Sequence, residues 1–352
     1  MELLSVTMND GVKPRSEIEG KDNSSEDKSN YKIVRKGDMV YNSMRMWQGA
    51  NGISPCDGIV SPAYTVLMPK QEINNGYFAA LFKSANLINE FRKNSQGMTS
   101  DTWNLKYPQI ETIKVQIPSV SEQDKVSEMF SVLDERIAAQ SRLVESFKKY
   151  KRGLLSQLIA QKKAFDTSGE WKTVKLGHIF KERTERAKGN ETLLAVTISN
   201  GVQRRDEIDL KDNSSDDKSN YKCVYIGDIA YNTMRMWQGA SGVSPYNGIV
   251  SPAYTIVTPI RPDLHNMTFW AYYFKYSPLV QTFQKYSQGL TSDTWNLKFP
   301  QFSEIAVTMP PISEQDKIAE CLSVFDEHCK CEDEKLQALL QVRTSLLQQL
   351  FI

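Results

Sequence analysis

The sequence predicts an α+β fold in which two mixed α/β domains alternate with two long helices. Three observations support this prediction. Most of the first half of the chain is repeated in the second half. The first part of each half has short apolar runs broken by Gly, Pro, Asn and Asp, which is typical of short strands and turns. Each half then closes with a proline-free segment that carries one apolar stripe.

The repeat is almost verbatim at several places. The chain contains GIVSPAYT at Gly58 and Gly248, SQGMTSDTWNLK at Ser95 with SQGLTSDTWNLK at Ser287, YNSMRMWQGA at Tyr41 with YNTMRMWQGA at Tyr231, and KDNSSEDKSNYK at Lys21 with KDNSSDDKSNYK at Lys211. The matching motifs at Gly58 and Gly248 are 190 residues apart, and a repeat of that length is too long for a solenoid unit. It therefore indicates two similar domains, predicted over residues 1–120 and 164–312.

Long helices are predicted over residues 121–163 and 313–352. In the first helix the apolar residues recur at steps of three, four or seven, and the second carries a matching stripe. The stripes are Val126, Phe130, Leu133, Ile137, Val144, Phe147, Leu154 and Leu158 in the first helix, and Ile318, Leu322, Phe325, Leu336, Leu340, Leu347 and Leu350 in the second. Ser121, followed by Glu122, is expected to be an N-cap. A helix this long with one stripe needs a partner, so the two are predicted to pair as a coiled coil.

Composition and motifs exclude several classes of protein. The net charge is +1, which indicates no overall basic bias. No apolar run approaches the roughly 20 residues that span a bilayer, so a cytoplasmic protein without a membrane partner is expected. The phosphate-binding loops and the common zinc-protease and serine-hydrolase motifs are missing from the sequence. On a helix, Cys329 and Cys331 would point about 200° apart, too far to share a metal ion. No catalytic residue, metal site or bound cofactor is predicted.

The duplicated polar clusters suit nucleic acid. Arg45 and Gln48 can make bidentate contacts to base edges, and Trp47 offers a flat face. The polar run TSDTWNLK suits hydrogen bonds to phosphates and base edges. The predicted DNA contacts are Arg45, Trp47, Gln48, Ser100, Thr102, Asn104 and Lys106 in the first copy, and Arg235, Trp237, Gln238, Ser292, Thr294, Asn296 and Lys298 in the second.

Each of these residues also has a purely structural interpretation. Trp47 and Trp103 are more typical of core aromatics than of base contacts, and Asp101 is more typical of a loop or helix cap than of a base contact. Arg45 and Lys106 could be ordinary surface charges. The repeat does not decide between these interpretations, because core residues recur in duplicated domains too.

The same motifs resemble the specificity subunits of type I restriction–modification systems. The segment WKTVKLG at Trp171 resembles the opening strand of that family's target-recognition domains, and GDIAYN followed by GIVSPAYT resembles the middle. The most specific match is the junction in which a glycine loop and a proline lead to SEQDK, at Ser121 and again at Ser313. The resemblance covers nearly the whole chain in two copies.

The resemblance implies two mixed α/β target-recognition domains separated by a pair of long antiparallel coiled-coil helices. Each domain would read one half of a bipartite site in double-stranded DNA. Two methylation subunits would supply S-adenosylmethionine and catalysis, and restriction subunits (translocase and nuclease) would join outside them. The chain itself would be non-catalytic. Because the two copies are nearly identical, the site is expected to be an interrupted near-palindrome.

Three further expectations complete this interpretation. Leu155, Ile159 and Leu346 are expected on outward helix faces that bind the methylation subunits. The first copy begins at Met1 with ELLSVT, without a counterpart of WKTVKLG, which is consistent with a misplaced start codon, a rearranged gene or a piece supplied by a partner. The alternative function is a truncated or inactive DNA-binding or assembly protein that only binds methylation subunits, and an enzyme is a distant third.

Overall fold

The computed structural model describes residues 1–8, 10–18, 20, 22, 24–165, 169–189, 191–208 and 217–351. The beginning of the second KDNSS repeat, at Lys211, lies outside these residues. The chain divides into two compact units. Unit 1 comprises Met1–Val144 and Glu332–Ile352, and unit 2 comprises Glu145–Cys331.

Unit 1 contains seven strands among its described residues. They are β1 (Glu2–Thr7), β2 (Gly11–Pro14), β3 (Lys32–Val34), β4 (Met39–Asn42), β5 (Asn51–Ile53), β6 (Gly58–Val60) and β7 (Tyr64–Leu67). They form two sheets, of order β2-β1-β6-β3 and β5-β4-β7. β1 and β6 pair in parallel, and the other neighbours are antiparallel. The sheets approach closely where a Cβ on Gly52 would lie 2.8 Å from the Cα of Gly11, so a side chain there would clash with backbone.

Three short helices cover the second sheet of unit 1. These are α1 (Asn75–Leu81), α2 (Ala85–Asn94) and α3 (Tyr107–Ile110). The Asn74 side chain accepts a hydrogen bond from the Tyr77 amide and so caps α1. The core between the helices and β4 contains Tyr41, Met46, Phe91 and Leu105, among others. The first long helix, α4 (Val120–Ile159), begins in this unit and continues into unit 2.

Unit 2 repeats this arrangement and adds strands at its start. Its strands are β8 (Lys172–Lys175), β9 (Phe180–Glu182), β10 (Leu194–Thr197), β11 (Gly201–Arg204), β12 (Lys222–Val224), β13 (Ile229–Asn232), β14 (Ser241–Val243), β15 (Gly248–Val250), β16 (Tyr254–Pro259) and β17 (Ala306–Met309). Its helices are α5 (Leu176–Ile179), α6 (Met267–Tyr273), α7 (Ser277–Tyr286), α8 (Phe299–Ser303) and the start of α9 (Ile312–Leu350). The sheets are β14-β13-β16-β9, β10-β11, β12-β15 and β17-β8.

The two long helices run antiparallel inside each unit. In unit 1 the Phe130 and Phe351 rings stack at 6.0 Å. Further along, Arg343 forms two hydrogen bonds with Asp134 and Gln140 donates to Glu332. In unit 2, Phe147 stacks with His328 and Lys151 forms an ion pair with Asp326. The predicted antiparallel pairing is therefore confirmed, although Leu340 and Leu350 of the predicted stripe are exposed.

The start of α4 differs from the prediction. Ser119, not Ser121, caps the helix, because the Ser119 hydroxyl accepts a hydrogen bond from the Glu122 amide. The Glu122 carboxylate in turn accepts from the Ser119 amide, 3.1 Å away. This reciprocal capping box also holds the pKa of Glu122 below its ordinary value, through the hydrogen bonds from Ser119.

The SEQ motif has a structural role in both units. Gln123 and Gln315 are buried, and each accepts a hydrogen bond at 3.0 Å from the backbone amide of the residue that caps the facing helix, Asn74 or Asn266. Each amide also donates to a proline carbonyl just before its own helix. The glutamine therefore fixes the entry of each long helix against its domain.

The three residues predicted to bind a partner are not on outward faces, so that prediction is wrong. Leu155 and Ile159 belong to the core of unit 2, together with Ile318 and Leu322 of α9. Leu346 packs against the core of unit 1. At these ends each long helix contacts both the paired helix and the core of its unit. The predicted apolar stripe accounts for the contact with the paired helix and not for the contact with the core.

Two further observations concern the long helices and the membrane. On α9, Cys329 is buried and Cys331 is exposed, so the two thiols point to different sides of the helix. Within the described ranges, no helix combines the length and the apolar character required to cross a bilayer.

Candidate nucleic-acid interface

The repeated Arg-Met-Trp-Gln-Gly motif forms the same tight turn in both units. Arg45 precedes a 3₁₀ turn, Met46–Gln48, with φ −127°, and Arg235 precedes its counterpart with φ −128°. Gly49 and Gly239 close the turns in the left-handed region, at φ 81° and 80°. The methionine after each arginine is buried, and the arginine itself is exposed. The buried methionine thus anchors a turn that presents the arginine to solvent.

A hydroxyl residue before the turn joins three repeated motifs. Ser43 accepts a hydrogen bond at its carbonyl from the Leu105 amide, 2.8 Å away, and its hydroxyl donates to the Ala63 carbonyl. Thr233 makes the matching bonds to Leu297 and Ala253, at 2.9 and 2.8 Å. These bonds bring together the turn, the SPAY segment and the strand-like end of the TSDTWNLK loop. Motifs far apart in sequence therefore form one surface in each unit, called here the Arg–Trp surface.

Two tryptophans form the base of each Arg–Trp surface. Trp47 and Trp103 meet edge to face with ring centroids 5.1 Å apart, and Trp237 and Trp295 do so at 5.2 Å. All four side chains are partly buried. The indole N–H of Trp47 donates to the Met44 carbonyl, which fixes the ring. The tryptophans are neither core residues nor free stacking platforms, because each packs on one side and reaches the surface on the other.

The basic residues of the Arg–Trp surface are available for an anion. The side chains of Arg45, Arg235, Lys106 and Lys298 are exposed and form no hydrogen bond or ion pair with any described residue. Gln48 and Gln238 also lack a side-chain partner in the described ranges. Guanidinium and amide groups left free in this way can bond to base edges, and ammonium groups to phosphates.

A half-buried lysine lies behind the turn of unit 1. A Cβ on Gly49 would lie 3.6 Å from Cγ of Lys83, so that lysine packs directly behind the turn. Burial lowers the pKa of Lys83 and of its counterpart Lys275. Lys275 donates to the Ile198 carbonyl at 3.4 Å. These lysines were not among the predicted site residues.

The TSDTWNLK loop is closed by its own hydrogen bonds. Thr102 accepts from the Thr99 amide at 3.1 Å and donates to the Thr99 carbonyl at 2.9 Å, and Thr294 does the same with Thr291. A Cβ on Gly97 would meet the Thr102 carbonyl oxygen at 2.6 Å. The hydroxyl protons of Thr102 and Thr294 therefore form hydrogen bonds within the loop. Ser100 and Ser292, also predicted contacts, are exposed on it.

The loop presents an apolar residue that sequence reasoning missed. Met98 is 99% exposed and its counterpart Leu290 is 101% exposed. The signal was present in the sequence, since both copies place an apolar residue directly after the glycine of an otherwise polar loop.

Asn104 and Asn296 are half-buried at the end of the loop, and the Oδ1 atom of each is buried without a hydrogen-bond partner among the described residues. In unit 2, Asn296 and Lys298 line a cleft of about 260 Å³ whose other lining residues are both polar, such as Glu182 and Lys222, and apolar, such as Phe299. This cleft is smaller than the roughly 300–1,000 Å³ of typical small-molecule sites. A cleft of this size suits the insertion of one edge of a larger ligand.

Comparison with known proteins identifies the family. The type I restriction modification DNA specificity domain matches residues 5–146 and 168–341. The fold is similar to that of the S subunit of a type I restriction–modification system from M. genitalium, with a TM-score of 0.57 and 16% sequence identity, covering 91% of this chain and 84% of that one. A structure from work on complex assembly and conformational transition of the type I system matches with a TM-score of 0.55 and 16% identity, covering 92% and 83%.

The family match includes both copies of the repeat and more than half of the chain. Both Arg–Trp surfaces lie within the matched residues. The chain therefore belongs to the family of type I restriction–modification specificity subunits, which determine DNA specificity and are non-catalytic.

Proposed function

We propose that the chain recognises a bipartite DNA site and directs adenine methylation or restriction by partner subunits. Each unit would read one half-site through its Arg–Trp surface. The observation that carries this proposal is the matching geometry of the two surfaces, whose tryptophan separations differ by 0.1 Å, from 5.1 to 5.2 Å. Two readers of the same geometry favour two similar half-sites, hence an interrupted near-palindrome in double-stranded DNA.

Within each surface the residues would have different tasks. Arg45 and Arg235 are placed for base edges, since each projects from a turn fixed by a buried methionine. Lys106 and Lys298 are suited to phosphates. Met98 and Leu290, at the loop tips, would make apolar contact with the groove. A fixed turn and an internally bonded loop would lose little conformational entropy on binding.

The partners follow from family membership. We propose that two methylation subunits carry S-adenosylmethionine and the catalytic groups, and that restriction subunits join the same cytoplasmic complex. Exposed apolar residues of the long helices would contact the methylation subunits, instead of Leu155, Ile159 and Leu346. These residues are Val132, Leu143, Leu340 and Val342 in unit 1, and Tyr150 and Val324 in unit 2. Charged substitutions there should weaken assembly, measured by co-purification with a tagged methylation subunit.

The test of the function is to map methylated adenines after co-expression with the cognate methylation subunits. The expected result is one interrupted motif with nearly palindromic halves. Two unrelated half-sites would contradict the argument from matching surfaces. A complex that assembles but does not bind or methylate a specific site would instead support an inactive assembly protein.

A further inference from the structure

The three repeated motifs of the Arg–Trp surface meet around the cleft in unit 2, called here the motif cleft. The arginine turn contributes Met234, the SPAY segment contributes Pro252, and the end of the TSDTWNLK loop contributes Asn296, followed by Phe299. The same residue types recur in the first copy of the repeat. The counterparts there are Met44, Pro62, Asn104 and Tyr107.

The backbone of Asn296 is fixed by the fold. Its amide donates to the Gln288 carbonyl at 2.8 Å, and its carbonyl accepts from the Gln288 amide at 3.0 Å. The next residue, Leu297, is completely buried and donates its amide to the Thr233 carbonyl at 2.9 Å. The place of the Asn296 side chain at the cleft is therefore set by backbone bonds that do not depend on that side chain.

The side-chain amide of Asn296 forms no hydrogen bond with any described residue. Its Oδ1 atom is buried without a partner, and its Nδ2 atom donates to none of these residues. Asn104 has the same unpaired Oδ1 in unit 1, beside the matching backbone bonds to Gln96. An unpaired buried acceptor destabilises the free protein, whereas an apolar side chain of similar shape would not. The same unpaired amide in both units therefore indicates a bond that forms only when a ligand is present.

The other groups of the motif cleft suit the edge of a nucleobase. Lys222 already bonds to the Glu182 carboxylate at 3.1 Å and to the Tyr254 carbonyl at 2.9 Å. Lys298 is exposed and has no partner among the described residues, so it is available for a phosphate. Apolar lining residues such as Phe299 would exclude water from an inserted base edge, which strengthens a hydrogen bond formed there.

We propose that the motif cleft receives the major-groove edge of an adenine and that Asn296 determines specificity at that position. Adenine presents an N6–H donor beside the N7 acceptor, and a carboxamide offers an acceptor and a donor to match them. Guanine presents two acceptors on the same edge, so asparagine fits it less well. Half a turn about the Cβ–Cγ bond of Asn296 exchanges its oxygen and nitrogen without changing its shape, so either atom can face the base.

Asn104 has the same task in unit 1. This inference rests on the proposed function and adds to it a base and the residue that reads it. The adenine differs from the one that is methylated, because the N6 atom of that base must be free to receive the methyl group.

The first test replaces each adenine of the mapped site in turn and measures competition binding of the assembled methylation complex. The analogue 7-deazaadenine lacks the N7 acceptor, whereas 2,6-diaminopurine keeps the major-groove edge and is the control. One adenine in each half-site should lose at least about fivefold in affinity with 7-deazaadenine and little with the control. In the Asn296→Ala complex this loss should vanish in one half-site and remain in the other. The matched variant Asn104→Ala should show the reverse.

A second variant separates base reading from packing. Asn296→Asp keeps the shape of the side chain but cannot donate to N7, and a carboxylate accepts from N4 of cytosine. The base preference at the responding position should therefore shift from adenine toward cytosine. Both changes at Asn296 keep the backbone bonds to Gln288, so the midpoint of thermal unfolding should stay at its native value.

Three results would overturn the inference and leave the proposed function intact. In the first, the native complex is specific but no adenine responds to 7-deazaadenine. In the second, the response persists in the Asn296→Ala complex. In the third, Asn296→Ala lowers the unfolding midpoint and keeps the native base preference. A native complex that binds no specific site would instead refute the proposed function, and this inference with it.

Discussion

Replacing Arg235 by alanine should reduce DNA affinity and relax one base position without unfolding the protein. The structure leaves the Arg235 side chain exposed and without a partner among the described residues, while its carbonyl accepts from the Gln238 amide at 2.9 Å. Alanine keeps that backbone bond. The change in the free energy of unfolding should therefore stay within about 0.5 kcal/mol, as for other surface substitutions.

The expected loss of DNA binding is larger. An arginine that reads a base edge contributes about 1–3 kcal/mol, which corresponds to about 5- to 150-fold in affinity. The assay is competition binding of the assembled methylation complex against duplexes that differ by one base in one half-site. The matched control is Arg261→Ala, which removes the same charge from unit 2 at a place where Arg261 pairs with the adjacent loop residue Asp263. That variant should leave base preference unchanged.

The opposite pattern would refute this reasoning. If Arg235→Ala lowers the midpoint of thermal unfolding by several degrees while the folded fraction keeps its base preference, Arg235 is a structural residue of the turn. Circular dichroism on the same samples used for binding separates the two outcomes.

Three other substitutions test separate parts of the structure. Lys298→Ala should weaken binding to all sequences alike and reduce the slope of log affinity against log salt by about one, measured by titration at several salt concentrations. Gly153→Ala should stabilise the chain by about 0.5–1 kcal/mol in thermal unfolding, because a Cβ there meets nothing within 4 Å in α4. Gln315→Ala should destabilise unit 2 by at least about 2 kcal/mol in urea, since it leaves three backbone groups without their side-chain partner, and Gln123→Ala is the matched change in unit 1. A Gln315→Ala chain as stable as the native one would contradict the proposed role of the SEQ motif.

Much of the fold could be predicted because its signals are local. Apolar periodicity identified both long helices to within a few residues, since an amphipathic stripe must face a partner. The verbatim repeat indicated two similar domains before any strand was assigned. The antiparallel pairing came from the family resemblance, because periodicity alone does not give the direction of a partner helix.

The errors of prediction have a common cause, which is contact between segments distant in sequence. Leu155 and Ile159 were expected outside because the coiled coil accounts for only one face of α4, and the core of unit 2 covers another. Thr102 was predicted to contact DNA from its polar side chain alone, but its hydroxyl also bonds within the loop, and Met98, just before TSDTWNLK, projects into solvent. The cap was predicted at Ser121 because acidic residues follow it, whereas the spacing of Ser119 and Glu122 is that of a capping box.

The two units also form an internal control for the candidate site. Ile33 and Val115 are more exposed than their counterparts in unit 2, but the Arg45 turn and the Trp47–Trp103 contact have the same geometry as in unit 2. If geometry determines recognition, Arg45→Ala should relax one position in the other half-site by the same 5- to 150-fold factor, about 1–3 kcal/mol. The measurement is the base-competition assay applied to that half-site. Should Arg45→Ala have no effect while Arg235→Ala does, the geometry of the turn is insufficient and unit 1 does not read DNA.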